Sequence, residues 1–527
     1  MNKIAKYLNQ HLVGNVYTRS ILLDAVSHDH SILKITPRYL AIPANIPDLQ
    51  KLVRSAHLLA QKNLHLPLTP RGTGLDKTGA ALTSELTVST AKLNSILEID
   101  SQSRLVRVQA GVTLGQLNSA LALHGLTLPI QSDPRHTIGG LINNYAFHKP
   151  QAKYGDLYHY VERLEFITSS GDIVQTARYH RRATKRHQNL ANFEGKLYRG
   201  LDQILARHAQ TIQKINLKDL DATGYKMISQ VRHGHTFDLM PLIFSSQGTL
   251  GIVTEVILSC EPLPDFTRRL AIAFATADEI PNFIKQILKF KPTDIQLLDH
   301  QIFQTSATEG KSLEFFSTAP GYLLLLRFDG SYFSLRHHLR RCQKLAPAHS
   351  QTLIETPDNK DLFDSVEAAL LSLLNQSLTT ERPPLLDDVR IPLAHLPNFL
   401  EHLLNFSDEL GLNLPVFGSV LQNNYSVRPA FHLNTVAGRK FALRFLREYA
   451  ALVATNHGSI TGGSPEGRIK GIITNPTLTA QELALYQEIK DLFDPHHIFN
   501  PEAKLGATLP QVIRSLRTIQ TPELNTK

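Results

Sequence analysis

Two glycine-rich segments carry residues whose backbone could hold a phosphate group. Residues 70–82 read PRGTGLDKTGAAL, and residues 131–144 read QSDPRHTIGGLINN. Glycine has no Cβ, so its backbone can come close to an oxyanion and donate N–H groups to it. A run of small residues can also turn its N–H groups inward as a nest for phosphate oxygens. For either segment taken alone, a plain tight turn remains the alternative.

The first segment does not match the common nucleotide-binding motifs. A Walker loop requires Gly-Lys-Ser/Thr, whereas two alanines follow Gly79. A Rossmann fingerprint requires a third glycine three residues after Gly74, and that position holds lysine. Residues 76–79, DKTG, do match the phosphorylated tetrapeptide of P-type ion pumps. Such a pump needs membrane helices, and the longest apolar run, GYLLLLRF at 321–328, is only strand-sized. The pump interpretation therefore loses its main support.

Composition places the chain among ordinary soluble proteins. Its length of 527 residues predicts two or three domains. Hydrophobic residues make up 42% of the chain and charged residues 19%, and the sequence contains no low-complexity tract. Cys260 and Cys342 are too few for a disulfide framework or a CxxC metal site, which fits a reducing compartment. The start, MNKIAK, does not lead into the apolar core of a signal peptide. We therefore expect a cytoplasmic protein.

The net charge of +9 is concentrated in two basic clusters, RYHRRATKRH at 178–187 and RHHLRRCQK at 336–344. One interpretation is a solvated helix or loop surface. The other is docking to an anionic membrane, which would place the protein peripherally on the inner membrane face. Nucleic-acid binding is disfavoured because aromatic residues are only 7% and tryptophan is absent, so stacking platforms are scarce.

The first half of the chain alternates strand and helix patterns. Residues 44–63 predict a helix, with Asn45 as its cap and apolar residues at helical spacing on one face. Residues 113–125 predict a second helix that is closed by Gly125. Residues 161–174 predict a β-hairpin that turns at Ser170-Gly171. Further short strands are predicted at 38–43, 66–69, 86–90 and 104–111, and together these elements indicate an α+β nucleotide-binding fold.

Four segments in a fixed order resemble one flavoprotein family. They are PRGTG (70–74), TIGGLI (137–142), SQGTLGIVTEV (246–256) and DPHHIFNP (494–501). In these segments the chain resembles the PCMH-type FAD-binding oxidoreductases, the vanillyl-alcohol oxidase and p-cresol methylhydroxylase flavoproteins. Within them it looks most like the D-lactate dehydrogenase and glycolate oxidase subunit branch. The DKTG match to ion pumps is then a coincidence.

The resemblance implies an α+β architecture with a two-subdomain FAD-binding domain and an α+β cap domain. The implied boundaries are 1–264 for the FAD-binding domain, 265–460 for the cap or substrate domain, and 461–527 for a segment that returns to the FAD-binding domain. Leu75 stands where some relatives carry the histidine that bonds covalently to flavin, so non-covalent FAD is expected. The residues expected at FAD are Arg71, Gly72, Thr73, Gly74, Leu75, Asp76, Gly79, Ser132, Asp133, Thr137, Gly139, Gly140, Gly251, Ile252, Val253 and Asn500.

Asp76 departs from the family pattern, which usually has a small hydroxyl residue at that position. A carboxylate aimed at a pyrophosphate would repel it. We therefore expect the Asp76 side chain to point into solvent or towards Arg71 or Lys77.

The divalent metal site of the 2-hydroxy-acid branch is missing from the sequence. Its two histidine positions hold Ser419 and Ser426, and its Glu-His pair is replaced by Gly463 and Ser464. The sequence therefore predicts no metal at this position. Where the metal would have polarised the substrate hydroxyl, another group must act.

Three charged residues are the candidates for the remaining chemistry. Glu466, in SPEGRIK, could act as a general base, and Arg468 in the same segment could hold a substrate carboxylate bidentately. The alternative for this pair is an ion pair on a glycine-rich surface turn. Arg390, on a predicted cap strand, is a further anion anchor, as is Arg428.

Two functions follow from these observations. The first is an FAD-linked dehydrogenase or oxidase that acts on the CH–OH group of a small organic molecule, such as a 2-hydroxy acid, by metal-free hydride transfer to flavin. The alternative is a flavin-binding subunit without catalytic activity that acts in an assembly. Loss of the metal residues favours the alternative, and retention of every flavin segment favours the enzyme.

Overall fold

The computed structural model describes residues 3–145, 153–216, 221–302, 321–376 and 382–517. The chain divides into two compact units. The first unit comprises Met1–His148, Asp156–Leu263 and Ser464–Ser515, and the second comprises Lys149–Gly155, Pro264–Gly463 and Leu516–Lys527. Across the described ranges, no helix combines the length and the apolar character that crossing a membrane would require.

A four-stranded sheet opens the first unit, with strand order β1-β2-β4-β3. Strands β2, β3 and β4 are parallel to one another, and β1 is antiparallel to β2. The strands are β1 (Asn15–Tyr17), β2 (Tyr39–Ile42), β3 (Leu68–Arg71) and β4 (Leu86–Ser89). The accompanying helices are α1 (Lys3–His11), α2 (Ser20–Ala25) and α3 (Ile46–Gln61).

Helix α3 confirms the prediction for residues 44–63. The Asn45 side chain accepts a hydrogen bond from the Asp48 N–H at 3.0 Å, so it caps the helix as expected. The residues at helical spacing point into the core between helix and sheet, where Leu49, Leu52 and Val53 are fully buried. This packing holds the end of β3, where the first glycine segment begins.

An antiparallel five-stranded sheet, in the order β5-β6-β13-β8-β9, forms the second layer of the first unit. The predicted hairpin is confirmed as β8 and β9, and Gly171 at φ +81° supplies the left-handed turn. The strands are β5 (Ile96–Asp100), β6 (Leu105–Gln109), β8 (Val161–Ile167), β9 (Ile173–Thr176) and β13 (Ile252–Ser259). Smaller sheets pair β7 (Leu126–Thr127) with β14 (Glu261–Pro262), and β12 (Thr236–Phe237) with β10 (Tyr179–His180) and β11 (Arg232–His233).

Helices cover this sheet with a continuous apolar core. The predicted helix at 113–125 is observed as α4, where Thr113 and Gln116 form a capping box. The helices that contribute to this core are α4 (Leu114–Ala122), α5 (Ile138–Asn143), α6 (Leu157–Tyr160), α8 (Phe193–Arg207), α9 (Ala209–Asn216), α10 (Met240–Ile243) and, from the C-terminal segment, α17 (Ala480–Phe493). The first unit also contains α7 (Arg181–Gln188), α16 (Gly471–Thr474) and α18 (Leu509–Ser515).

The second unit is built on a seven-stranded antiparallel sheet with strand order β18-β15-β17-β16-β20-β21-β19. Its core includes side chains of the central strands and of α13. The strands are β15 (Phe266–Phe274), β16 (Asp294–Asp299), β17 (Tyr322–Gly330), β18 (Gln351–Ile354), β19 (Val389–Arg390), β20 (Val416–Ser419) and β21 (Asn424–Val427). The helices are α11 (Ile280–Ile287), α12 (Tyr332–Leu345), α13 (Lys360–Gln376), α14 (Leu396–Leu410) and α15 (Val436–Thr455). The expected mixture of helices and sheets is thus confirmed.

Candidate functional site

The two glycine-rich segments meet in the first unit. Gly72 follows the end of β3, and a Cβ at this position would collide with Thr137 Oγ1. The Thr73 hydroxyl donates to the carbonyl of Arg135 at 2.9 Å. The segments are far apart in sequence, yet the fold brings them into direct contact, and Gly72 is required by that close approach.

The first glycine loop, residues 72–79, leaves a run of backbone donors for a ligand. Gly74 at φ +80° and Gly79 at φ +79° give the loop its left-handed turns. The N–H groups of Thr73 through Asp76 have no acceptor among the described residues. Successive N–H groups of this kind form a nest suited to phosphate oxygens.

The Asp76 side chain bonds to its own loop and lies close enough to Arg71, one of the two cations expected from the sequence, for its charge to act there. Its carboxylate accepts from the Thr78 N–H at 3.0 Å and from the Ala80 N–H at 2.8 Å, with the Thr78 hydroxyl at 3.1 Å. The hydrogen bonds within the loop were not part of the expectation. These bonds engage the N–H groups of Thr78 and Ala80 and leave those of Thr73 through Asp76 without an acceptor among the described residues.

The inner side of the first loop is a buried charge cluster that the sequence did not reveal. The Arg71 guanidinium donates to the carbonyl of His28 at 2.7 Å and to that of Val26 at 3.4 Å. Burial, with a smaller contribution from the charge of Asp76, raises the pKa of Asp29 to about 7. Arg71 thus binds the backbone of the neighbouring loop, and its charge offsets the charges of Asp29 and Asp76. Its guanidinium faces inward and not out of the site.

Further charges flank the second segment. Arg135 binds Asp133 through Nη2 at 2.6 Å and Nε at 3.0 Å, and this pairing lowers the pKa of Asp133 to about 2. Burial first, and then the charges of Arg135 and Lys77, lower the pKa of His30 to about 4.

Around the two segments, three cations (Arg71, Lys77, Arg135) are matched by three carboxylates (Asp29, Asp76, Asp133). The local charge is therefore near zero when all of these groups are ionised. The attraction for an anion would rest mainly on the backbone N–H groups.

The glycines of the second segment pack the start of α5. The Thr137 side chain caps this helix by accepting from the Gly140 N–H at 3.1 Å, while the Gly139 N–H donates to Ala110 O at 2.8 Å. A Cβ on Gly139 would lie 2.8 Å from Ala110 Cβ. The N–H groups of both glycines are used within the protein. Ser132, which is exposed, contacts His136 Nδ1 at 2.8 Å.

Asn500 ties the first loop to two other segments. Its Nδ2 donates to Ala80 O and to Gln247 O, both at 2.9 Å, and its Oδ1 accepts from the Thr69 hydroxyl at 3.2 Å. The side chain is buried, so its amide serves the three segments and not solvent.

Gln247 is a residue that the sequence analysis missed. Its side chain accepts from the Gly467 N–H at 2.8 Å and donates to Thr78 Oγ1 and to Asn144 Oδ1, both at 3.1 Å. The available signal was that Gln247 stands where the family that the chain resembles has glutamate. An amide, unlike a carboxylate, can donate and accept hydrogen bonds at once.

The start of β13 holds the three residues predicted from the SQGTLGIV motif. Ile252 and Val253 pair with Ile167 and Phe166 of β8 and are buried in the sheet. A Cβ on Gly251 would lie 2.8 Å from the Phe166 ring. The structure gives these three residues a packing role, and their contact with a cofactor stays a prediction.

Glu466 lies in a buried ion pair and not on a surface turn. Lys504 Nζ donates to Glu466 Oε2 at 2.6 Å, and the Gly224 N–H donates to Glu466 Oε1. The same ammonium donates to Ala222 O at 3.1 Å and to Ser245 O at 3.0 Å. Both charged side chains are fully buried. This geometry argues against the proposed role of general base, because both carboxylate oxygens are occupied and shielded.

Arg468 is held in the same way. Its guanidinium donates to Gly79 O at 3.0 Å, to Leu82 O at 2.5 Å and to Glu502 Oε2 at 2.6 Å. It joins the C-terminal segment to the end of the first glycine loop. All three nitrogens are thereby engaged, which argues against bidentate binding of a substrate carboxylate.

In the second unit, Arg390 and Arg428 differ in exposure. Arg428 is fully buried and binds Asp387 at 2.5 Å, so its guanidinium is committed to an ion pair inside the unit. Arg390 is half-buried on β19, where its backbone N–H and C=O exchange hydrogen bonds with Ser459. Its side chain packs against Gly462. Of the two arginines, Arg390 keeps more of its surface exposed.

The residues at the family's metal positions make other contacts. The Asp388 N–H donates to Ser426 Oγ at 3.0 Å, and Ser419 Oγ donates to Asp294 at 3.5 Å. A Cβ on Gly463 would lie 2.5 Å from the carbonyl oxygen of Asp388. Ser464, in the first unit, accepts from Lys470 Nζ at 2.6 Å. Within the described part of the chain, no group of three His, Cys, Asp or Glu side chains is placed to hold a metal ion.

Two family models match the chain. A model of the FAD binding domain matches residues 37–177, and one of the C-terminal domain of FAD linked oxidases matches residues 263–503. Three of the four motif segments, at 70–74, 137–142 and 494–501, lie within these ranges, and the segment at 246–256 lies between them.

Two curated relatives extend the similarity along the chain. A D-2-hydroxyglutarate dehydrogenase from Pantoea ananatis (strain AJ13355) is 26% identical over 513 residues, covering 90% of this chain and 49% of that protein. A glycolate oxidase subunit from Bacillus subtilis (strain 168) is 23% identical over 478 residues, covering 88% of this chain and 90% of that protein. The chain spans about half the length of the D-2-hydroxyglutarate dehydrogenases it matches.

A solved structure shares the fold. The 4-ethylphenol oxidase from Gulosibacter chungangensis superposes with a TM-score of 0.68 at 13% sequence identity, covering 96% of this chain and 97% of that one. At this identity the likeness concerns the fold alone.

Proposed function

Because the chain belongs to the PCMH-type FAD-linked oxidoreductases, we propose that its first unit binds FAD non-covalently and that the protein oxidises a CH–OH group of a small 2-hydroxy acid. The observation that carries the proposal is the run of N–H donors from Thr73 to Asp76, at the place where the two glycine segments meet.

The residues of the first loop fit a pyrophosphate. Its N–H groups can bind phosphate oxygens without side-chain help, and Lys77 adds a nearby cation. The Asp76 carboxylate is turned onto its own loop, so it does not occupy the donors that a phosphate needs. Leu75 has no nucleophilic atom, which supports non-covalent attachment at this position.

The substrate class is inferred from the relatives. One is named for D-2-hydroxyglutarate and another for glycolate, and both compounds are 2-hydroxy acids with a carboxylate. Arg390 of the second unit is our candidate for binding that carboxylate, because it is half-buried on a short strand and its backbone is held on both sides. When bound, FAD would accept the hydride that leaves the substrate carbon.

We further propose that the reaction uses no metal at the family's position. Gly463 has no room for a glutamate side chain, since even a Cβ would press on the backbone of Asp388. Ser419 and Ser426 are poor ligands compared with histidine.

The alternative function, a flavin-binding subunit without catalysis, has one specific observation in its favour. Glu466 and Arg468, the candidate catalytic pair, are both engaged in buried structural contacts. The two functions share FAD binding and differ in whether a substrate reduces the flavin.

The first experiment tests FAD binding. We expect the purified 527-residue chain to be yellow or to take up added FAD, with the flavin released by acid precipitation. Gly72→Ala should weaken FAD binding at least about 10-fold, because the new methyl group pushes Thr137 and separates the two segments. Gly200→Ala on helix α8 is the matched control, because the new Cβ meets only the end of the Leu492 side chain of helix α17 and should leave FAD affinity unchanged.

Unchanged FAD affinity in Gly72→Ala would contradict the placement of the site, and a chain that takes up no FAD would refute the whole proposal.

The second experiment mixes the FAD-loaded protein anaerobically with D-2-hydroxyglutarate, D-lactate and glycolate. Bleaching by one of them supports the enzyme. Stable FAD that none of these or related hydroxy acids reduces supports the non-catalytic subunit.

A further inference from the structure

The second unit presents an aromatic surface at one end of helix α12. Phe333 is 81% exposed, Tyr332 is 54% exposed and Phe266 of β15 is 44% exposed. The rings of Tyr332 and Phe333 pack edge to face with centroids 5.7 Å apart, and Phe266 lies 6.4 Å from Tyr332. Single exposed apolar residues are normal on a soluble protein, whereas three contiguous aromatic rings mark an interaction site.

The exposed face of the same helix is basic. Helix α12 buries Leu335, Leu339 and Cys342, and its sequence, YFSLRHHLRRCQKL, contains no acidic residue. The exposed cations of its outer face are Arg336, Arg340, Arg341 and Lys344. None of these four forms an ion pair with a carboxylate of the described residues. We name the three aromatic rings and these four cations the aromatic–basic surface.

The neighbouring elements add cations and carboxylates to this surface. Lys285 of α11 and Lys289, just beyond that helix, are exposed, and the Lys289 charge acts on Cys342 of α12. The carboxylates of the adjoining segments are Asp265 before Phe266, Asp278 and Glu279 before α11, and Asp329, which is bound by Lys153 and by the Tyr154 hydroxyl at 2.6 Å. The six exposed lysines and arginines outnumber these four carboxylates, so the surface keeps a net positive charge.

This combination fits the interface of an anionic bilayer better than nucleic acid. Aromatic side chains favour the headgroup level of a membrane, and basic residues on an amphipathic helix are attracted to anionic lipids. Single-stranded nucleic acid would instead require ring faces separated for base stacking. Here the rings pack edge to face against one another, with the cations on the following turns of the helix.

We propose that the aromatic–basic surface docks this protein on an anionic phospholipid bilayer, with the three aromatic rings at headgroup depth and the α12 cations over the lipid phosphates. The other basic cluster of the sequence, at 178–187, has exposed cations on α7 (Arg181–Gln188), but its one tyrosine, Tyr179, is half-buried and stacks on His187, so it is not the docking site. The proposal does not depend on FAD or on catalysis.

The test is sedimentation of the full chain with phospholipid vesicles. We expect binding to vesicles of phosphatidylglycerol and phosphatidylcholine, weaker binding as salt is added, and no binding to phosphatidylcholine alone. The triple variant Arg336→Gln, Arg340→Gln, Arg341→Gln should lower the partition coefficient about 100-fold, since each basic residue contributes about 5-fold. Phe333→Ser, which keeps every charge, should lower it about 10-fold.

The matched control removes the same charge from α7, as Arg181→Gln, Arg182→Gln, Arg186→Gln. It should change the partition coefficient less than about 5-fold. Circular dichroism and the melting temperature confirm that each variant is folded.

Three results would overturn the proposal. These are absence of binding to anionic vesicles at low salt, an equal loss in the α7 control, or a triple α12 variant that keeps vesicle binding and loses affinity for single-stranded RNA. The last result would assign the surface to nucleic acid.

Discussion

Removal of either partner of the Glu466–Lys504 ion pair should destabilise the first unit. Lys504→Met leaves the Glu466 carboxylate fully buried with only the Gly224 N–H as a donor. An uncompensated buried charge of this kind costs about 3–5 kcal/mol. Because whole domains are stable by only about 5–15 kcal/mol, this loss is a large fraction of the total.

Glu466→Gln should cost less than Lys504→Met. The amide oxygen can still accept from Gly224, although the amide NH2 group then faces the ammonium, which keeps two carbonyl acceptors, Ala222 O and Ser245 O. We expect a loss of about 2–3 kcal/mol, and a double variant whose cost is smaller than the sum by about 1–3 kcal/mol. The exposed pair Arg207–Glu488 is the matched control, and Arg207→Met should cost less than about 1 kcal/mol.

Calorimetric melting of the whole chain measures these differences. At about 2–4 °C per kcal/mol, Lys504→Met should lower the melting temperature of the first unit by roughly 6–20 °C. FAD reduction is measured alongside on protein kept well below its melting temperature. If Glu466→Gln melts within about 1 °C of the parent but reduces no flavin, the ion pair is catalytic and the structural interpretation fails.

Three further predictions follow from the site. The free energy of unfolding should fall by up to about 4 kcal/mol as pH rises from about 4 to 7. Burial and the charge of Asp76 raise the pKa of Asp29 in the folded protein to about 7, whereas the same carboxyl titrates near 4 in the unfolded chain, so the unfolded chain loses its proton first. Asp29→Asn should remove this contribution, and equal pH slopes in both proteins would contradict it. EDTA should leave turnover unchanged, given serine at 419 and 426 and glycine at 463, whereas a loss restored by zinc or manganese would reveal another ligand set. At about pH 8, where Asp29 with its pKa of about 7 is mostly ionised and the charges around the glycine segments cancel, FAD affinity should change less than about 10-fold between low and physiological salt. A steep salt dependence would show that cations dominate.

Local features of the fold could be predicted from the sequence. Helix α3 (Ile46–Gln61) was predictable because its cap and its apolar period both lie within the segment. The hairpin at 161–176 was predictable because Gly171 sits between two alternating runs. The glycine segments were recognisable because close backbone approach permits few residue types, and the contact of Gly72 with Thr137 shows that approach.

The buried charges could not be predicted in the same way. SPEGRIK is polar and contains glycine, so it is typical of a surface turn when considered alone. It is buried because Lys504, 38 residues later, supplies the opposite charge, and nothing within the segment indicates that partner. For Asp76, the proximity to Arg71 was expected from the sequence, whereas its hydrogen bonds to the Thr78 and Ala80 N–H groups were not.

The pattern of what is present and what is missing bears on the choice between enzyme and binding subunit. The donors proposed for the pyrophosphate belong to the backbone, so they persist through many side-chain substitutions as long as the glycines keep the loop shape. Oxidation of a CH–OH group also needs a side chain that binds the substrate and one that takes the hydroxyl proton. Glu466 and Arg468 are engaged elsewhere, so of the three candidate residues Arg390 is the one proposed for the first task, and none of the three is proposed for the second. FAD binding is therefore common ground between the two functions, and reduction of the bound flavin by a hydroxy acid is the observation that separates them.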